Sequence, residues 1–133
     1  MIYALDTNII SYILRNDESL KQRWRLEEQN GNCCVIPLMV YYEIVRGLKA
    51  NNSIAKMNAF EKICDLLTID EITISDMKTA ADIYANHKRR GTIIDDADLL
   101  IAAQCITRGY ILVTHNTRHF ADIESLTIVD WVM

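Results

Sequence analysis

Short β-branched or apolar runs alternate with longer helix-length segments along this chain, and that rhythm constrains the fold more tightly than any other feature. Ile2 to Leu5, Cys33 to Ile36, Leu67 to Ile69, Ile111 to Thr114 and Leu126 to Val129 read as strands. Between them the pattern predicts helices over Asn8 to Arg15, Glu18 to Gln29, Pro37 to Lys49, Ser53 to Leu66, Ser75 to Arg90 and Asp96 to Arg108. Strands separated by helical stretches imply an α/β fold with a largely parallel sheet. Pro37 suits a first helical turn, and Gly31, Gly91 and Gly109 stand just beyond predicted helices, where a left-handed cap is expected. There is no repeat, low-complexity tract or linker, and 133 residues at 50% hydrophobic composition suffice for one domain, 1–133, with a real core.

The apolar stretches are too short and too broken by charge to span a bilayer, and MIYALDTN lacks the basic-then-apolar order of a signal segment, so a cytoplasmic, membrane-free protein is expected. Cys33, Cys34, Cys64 and Cys105 show no CxxC spacing and sit in apolar segments, which favours buried reduced thiols. A net charge of −4 and a pI near 5.3 run against nucleic-acid binding. Clustering of the cations weakens that objection: Arg46 with Lys49, then Lys88, Arg89 and Arg90, then Arg108 and Arg118.

Four positions carry the chemistry. Asp6 ends a strand, Glu43 interrupts the apolar segment PLMVYYEIVRGL, Asp98 opens LLIAA, and Asn116 follows ILVT. A carboxylate where burial is expected is costly unless a cation compensates it, and several converging acids most naturally share a divalent metal. Each has a plainer reading. Asp-Thr-Asn is also a strand-to-helix turn in which Thr7 or Asn8 caps the next helix. Glu43 can pair with Arg46 three residues on. Asp95, Asp96 and Asp98 suit the first turn of a helix, although three acids together exceed what the dipole explains. Gly47, four residues after Glu43 on the same face, leaves room for a neighbouring backbone or a substrate.

These motifs match a family pattern. ALDTN, YYEIVRG, DLLIAA, ILVTHNTRHF and the closing IVDWV occur in an order that resembles the PIN domain, and within it the VapC toxins of bacterial toxin-antitoxin pairs. The resemblance implies a three-layer α/β/α fold around a mostly parallel sheet of four to five strands. It also implies cleavage of RNA that depends on Mg2+ or Mn2+. Asp6, Glu43 and Asp98 match the acidic triad, as catalytic residues and metal ligands. Asn116 stands where many members place a fourth acid, a departure that counts against a second fully coordinated ion. Thr114 matches a hydroxyl kept beside the acids, Thr7 and Asn8 the polar residues after the first aspartate, and Asp95 and Asp96 are taken as electrostatic support.

Phosphodiester hydrolysis needs an activated water and a cation for the charge that develops on phosphorus. Asp6 and Asp98 would hold the ion, with Glu43 completing its shell or orienting the water. Asn116 and Thr114 would position water or a phosphate oxygen. Arg46, Arg118 and the run Lys88, Arg89 and Arg90 would hold flanking RNA phosphates. His115 and His119 are set aside because magnesium prefers oxygen ligands. The resemblance further implies a homodimer and a VapB-like antitoxin that wraps the toxin and inserts a basic side chain among the acids. The helix bearing Tyr41 and Tyr42 and the Ser53 to Leu66 helix are candidate surfaces. Two alternatives compete: a non-catalytic RNA-binding module of the same fold, and an aspartyl-phosphate phosphotransferase using Asp6. The second pattern wants an aspartate at Asn8 or a late lysine, and the segment after Thr114 has none.

Overall fold

The computed structural model describes residues 1–132. Its elements are β1 (Ile2–Leu5), α1 (Thr7–Leu14), α2 (Glu18–Gln29), β2 (Cys33–Pro37), α3 (Leu38–Ala50), α4 (Ile54–Leu66), β3 (Thr68–Asp70), α5 (Ile74–Arg89), α6 (Asp96–Arg108), β4 (Ile111–Val113), α7 (Thr117–Phe120) and β5 (Thr127–Val129). All pairings are parallel, in the order β3-β2-β1-β4-β5. β1 is the central strand, with Tyr3 opposite both Cys34 and Ile111. A strand covered on both faces must be apolar at successive positions. Ala4 and Leu5 accordingly have no solvent exposure.

From β1 the chain steps outward to β2 and β3, then returns across the sheet to β4 and β5. The direction of winding therefore reverses between β1 and β4. Such a reversal opens a crevice at the carboxyl ends of the two strands, the place where parallel α/β sheets bind ligands. Helix contacts fall into two groups, α1 through α4 and α5 through α7, joined where α3 meets α6. This gives the expected three-layer α/β/α arrangement. The core joins Ile9 and Ile10 of α1, Val40 and Ile44 of α3, Phe60 of α4 and Ile101 and Ala102 of α6 to the sheet.

Local chemistry moves several boundaries. Pro37 is the last residue of β2 and the N-cap of α3, at ψ 146°, rather than its first turn. α1 is capped by Asp6, whose carboxylate accepts the Thr7 N–H, so Thr7 and Asn8 lie inside the helix instead of capping it. α7 was not expected; four residues offer too little periodicity to be seen. α3 is amphipathic rather than apolar all round, since Tyr42 is half exposed with the Arg46 guanidinium 5.1 Å above its ring, while Tyr41 packs on Phe60. Gly109 caps α6 at φ 68°, the left-handed conformation its position predicts.

The four cysteines are free. Burial pushes the Cys34 and Cys105 thiols up to about 12, so both are inert apolar fillers. Cys33 departs from expectation and is exposed at the start of β2. Among the described residues no helix is long and apolar enough to cross a membrane.

Candidate active site

Asp6 leaves the end of β1 exactly where the crevice opens, and its N–H donates to the Val113 carbonyl of β4 at 2.9 Å. Its side chain is buried, at 5% exposure, and is held from three directions. Oδ1 accepts the Thr7 N–H at 2.8 Å, while Oδ2 accepts the Thr114 hydroxyl at 2.7 Å and the Asn8 amide at 3.3 Å. Burial pushes the Asp6 carboxyl above the ordinary aspartate value, and these hydrogen bonds only partly offset it.

Thr114 is fully buried, so it cannot touch a phosphate or a bulk water as expected. Its hydroxyl donates to Asp6 and accepts the Asn116 N–H at 3.0 Å, which makes it a positioning group for the acid. Asn8 ties the two strand ends together: its amide nitrogen reaches Asp6 and Thr114, and its oxygen accepts the His115 N–H. Thr7 Oγ1 donates to Glu43 Oε1 at 2.8 Å and so fixes the α3 glutamate to the start of α1. The other Glu43 oxygen lies 3.8 Å from Arg46, so the salt-bridge reading of Glu43 holds alongside its place in the cluster.

Asp98 sits in the first turn of α6, partly buried, with Leu99 and Ile101 to Cys105 carrying the helix into the core. Its carboxyl is also raised, first by burial and then by the negative charges of Asp6, Asp95 and Glu43. Asp6, Glu43, Asp95 and Asp98 therefore share one electrostatic neighbourhood. Asp96 does not join it. One position along the helix, it turns toward an apolar groove lined by Ala80, Tyr84, Leu99 and Leu100, so any support it lends is indirect.

His119, set aside in the sequence, stands on α7 with Nδ1 3.3 Å from Asp98 Oδ2. Only the unforeseen α7 brings it there. His115 is turned away to Asp130, at 2.9 Å, and packs edge-on to Tyr12. Asn116 is the exposed N-cap of α7 and makes no side-chain cap bond, so its amide is available.

The expected RNA-binding cations are dispersed. Arg118 is exposed beside His119. Arg46 is shared between Glu43 and Tyr42. Lys88 stacks on Tyr84, while Arg89 and Arg90 bond to Asn86 at the end of α5, where cations also suit the helix dipole. Arg108 is not free for RNA at all, being bound to Asp70 and Asp76.

The acids present hard oxygen donors, the set that suits Mg2+ or Mn2+. Within the chain, Arg46 stands 3.8 Å from Glu43 and His119 3.3 Å from Asp98. These residues fit a divalent ion. Among the described residues no three acidic, histidine or cysteine side chains are already gathered round one point. Glu43 is turned to Thr7 and Asp98 to His119.

The PIN domain family pattern matches residues 3–126. Ribonuclease VapC1 of Methanocaldococcus jannaschii is 36% identical over 96 residues, covering 72% of this chain and 67% of that protein. The tRNA(fMet)-specific endonuclease VapC of Salmonella typhimurium is 30% identical, with 97% of each chain covered. Among solved structures, VapBC2 from Rickettsia felis bound to a DNA fragment from its promoter superposes with a TM-score of 0.92 at 26% identity, over 99% of this chain and 100% of the other.

Proposed function

The chain belongs to the PIN domain family, in its VapC branch, and from that membership we propose that it is a metal-dependent endoribonuclease toxin held in check by a VapB-like antitoxin. The observation that carries the chemistry is the convergence of Asp6, Glu43, Asp95 and Asp98, whose charges add to burial in raising the Asp98 carboxyl and leave negative charge in excess at a sheet crevice. Such a site gains most from a cation.

Asp6 and Asp98 would hold Mg2+ or Mn2+, with Glu43 completing the shell or orienting the attacking water. The bound ion supplies Lewis-acid charge and eases deprotonation of water. The chain's own groups do the rest. Thr114, Asn8 and the Thr7 N–H keep the Asp6 carboxylate in one orientation, so little reorganisation is left for the moment of reaction. Thr7 steadies Glu43. The Asn116 amide can position a water or a phosphate oxygen without adding negative charge, and Arg118 can neutralise a flanking phosphate.

Protein freed of antitoxin and incubated with total RNA in Mg2+ or Mn2+ should yield discrete fragments that vanish with EDTA and in Asp98→Asn. Intact RNA together with no Mn2+ binding would favour the non-catalytic module. A homodimer is expected in the same preparation, and sedimentation at the mass of one chain would contradict it.

A further inference from the structure

Beside the acids lies a second recess that the hydrolytic chemistry does not use. It is a cavity of about 190 Å3 whose lining joins Thr7 and Glu43 to the polar Ser11, Asn51 and Ser53, with Leu14, Ile44, Gly47 and Leu48 as its apolar part. Arg15 and Lys56 stand on its rim, both exposed. Neither takes part in the ion pairs of the described residues; Arg15 rests 6.0 Å over the Tyr12 ring. Ser53 caps α4 without a side-chain hydrogen bond, so its hydroxyl is uncommitted. The space beside Gly47 is open, since a Cβ there would meet nothing within 4 Å.

Size and lining select the occupant. The cavity is smaller than the roughly 300–1,000 Å3 of clefts that swallow a whole small-molecule ligand, so it takes one unit of something larger. No aromatic ring lines it, which removes the stacking platform that base recognition in single-stranded RNA relies on. Two cations with hydroxyl and amide groups suit a sugar and its phosphate instead. Its sharing of Thr7 and Glu43 with the acidic site makes that unit the neighbour of the scissile phosphate.

We propose that the recess between α1, α3 and α4 is a ribose-phosphate subsite, with Arg15 and Lys56 as positioning residues that hold the phosphate flanking the cut. This rests on the ribonuclease reading for its biological meaning, but its test does not need cleavage. Fluorescence anisotropy of a short labelled oligouridylate, titrated with the protein in EDTA across a range of salt, reads the subsite directly. Arg15→Gln and Lys56→Gln should each weaken binding about tenfold and make the negative slope of log K against log salt shallower by about 0.7, the value for one lost phosphate contact on a single strand. Arg15→Lys should restore the slope. Gly47→Leu, which removes no charge and fills the recess, should weaken binding while leaving the slope near that of the unsubstituted protein.

Unchanged affinity and slope in both glutamine variants would overturn the inference, as would failure of the unsubstituted protein to bind the RNA at all. Loss of affinity for poly-glutamate alone, with RNA binding kept, would also overturn it and assign the cations to an acidic peptide. If the variants lose RNA binding as expected but the protein cuts no RNA in Mn2+, the subsite stands and the ribonuclease reading fails.

Discussion

Asp98 illustrates how a residue can be costly to the fold and necessary to the site. Its carboxyl is raised by burial and by Asp6, Asp95 and Glu43, so the folded chain holds that proton more tightly than the unfolded chain does. A raised acid contributes least when ionised, and stability falls as pH climbs from the ordinary aspartate range near ~3.9 through the raised folded value. Asp98→Asn should therefore melt higher than the parent at neutral pH in EDTA, and the gain should fade on acidification below that range. Mn2+ should raise the parent's melting temperature and the variant's much less. Thr114→Val is the complementary case. It leaves a buried Asp6 oxygen short of its shortest hydrogen bond, for a cost of about 1–3 kcal/mol by urea denaturation and reduced cleavage. Asp6, Glu43 and Asp98 were legible in the sequence because each stood out against an apolar surrounding. His119 was not, since its meaning depends on a distance to Asp98 that only the fold creates.

Among the elements, the long ones were readable from periodicity and the ends were not. Pro37 and Asp6 took cap positions because caps are decided by backbone angles and hydrogen bonds rather than by residue preference alone. The α5–α6 pair contains a device that no local pattern announced. Asp76, 1% exposed, closes a capping box with Thr73 and receives both Arg108 guanidinium nitrogens and the Thr107 hydroxyl from the end of α6. Burial alone would raise this carboxyl, but the hydrogen bonds from Thr107, Thr73 and Arg108 outweigh it and hold it below the ordinary value. Its sign is thus opposite to that of Asp98: stability is fully present above the unfolded aspartate range and is lost as pH falls through the depressed folded value. Asp76→Ala removes the cap and the nearer of the two carboxylate partners of Arg108, leaving Asp70, and should cost about 1–3 kcal/mol in chemical denaturation. The metal affinity of the acids should survive under conditions where this variant remains folded, because the latch joins α5 to the far end of α6.

At the scale of the molecule, the α/β rhythm predicted the layers, while strand order had to come from the structure. Nothing in the runs themselves says that β1 lies between β2 and β4, yet that order creates the crevice and puts Asp6 against Thr114. Net charge was the least informative global number, since it does not say that Asp6, Glu43, Asp95 and Asp98 of the 18 acidic residues share one neighbourhood while Arg15, Lys56 and Arg118 are exposed. The hydrogen bond between Asp6 and Thr114 also spans 108 positions of sequence, so the hold on the first acid made is completed by a segment made much later. A chain synthesised only as far as β4 has Thr7 and Asn8 beside Asp6 but neither the Thr114 hydroxyl nor α7. The acidic site is therefore finished last, although its first member is among the earliest residues made.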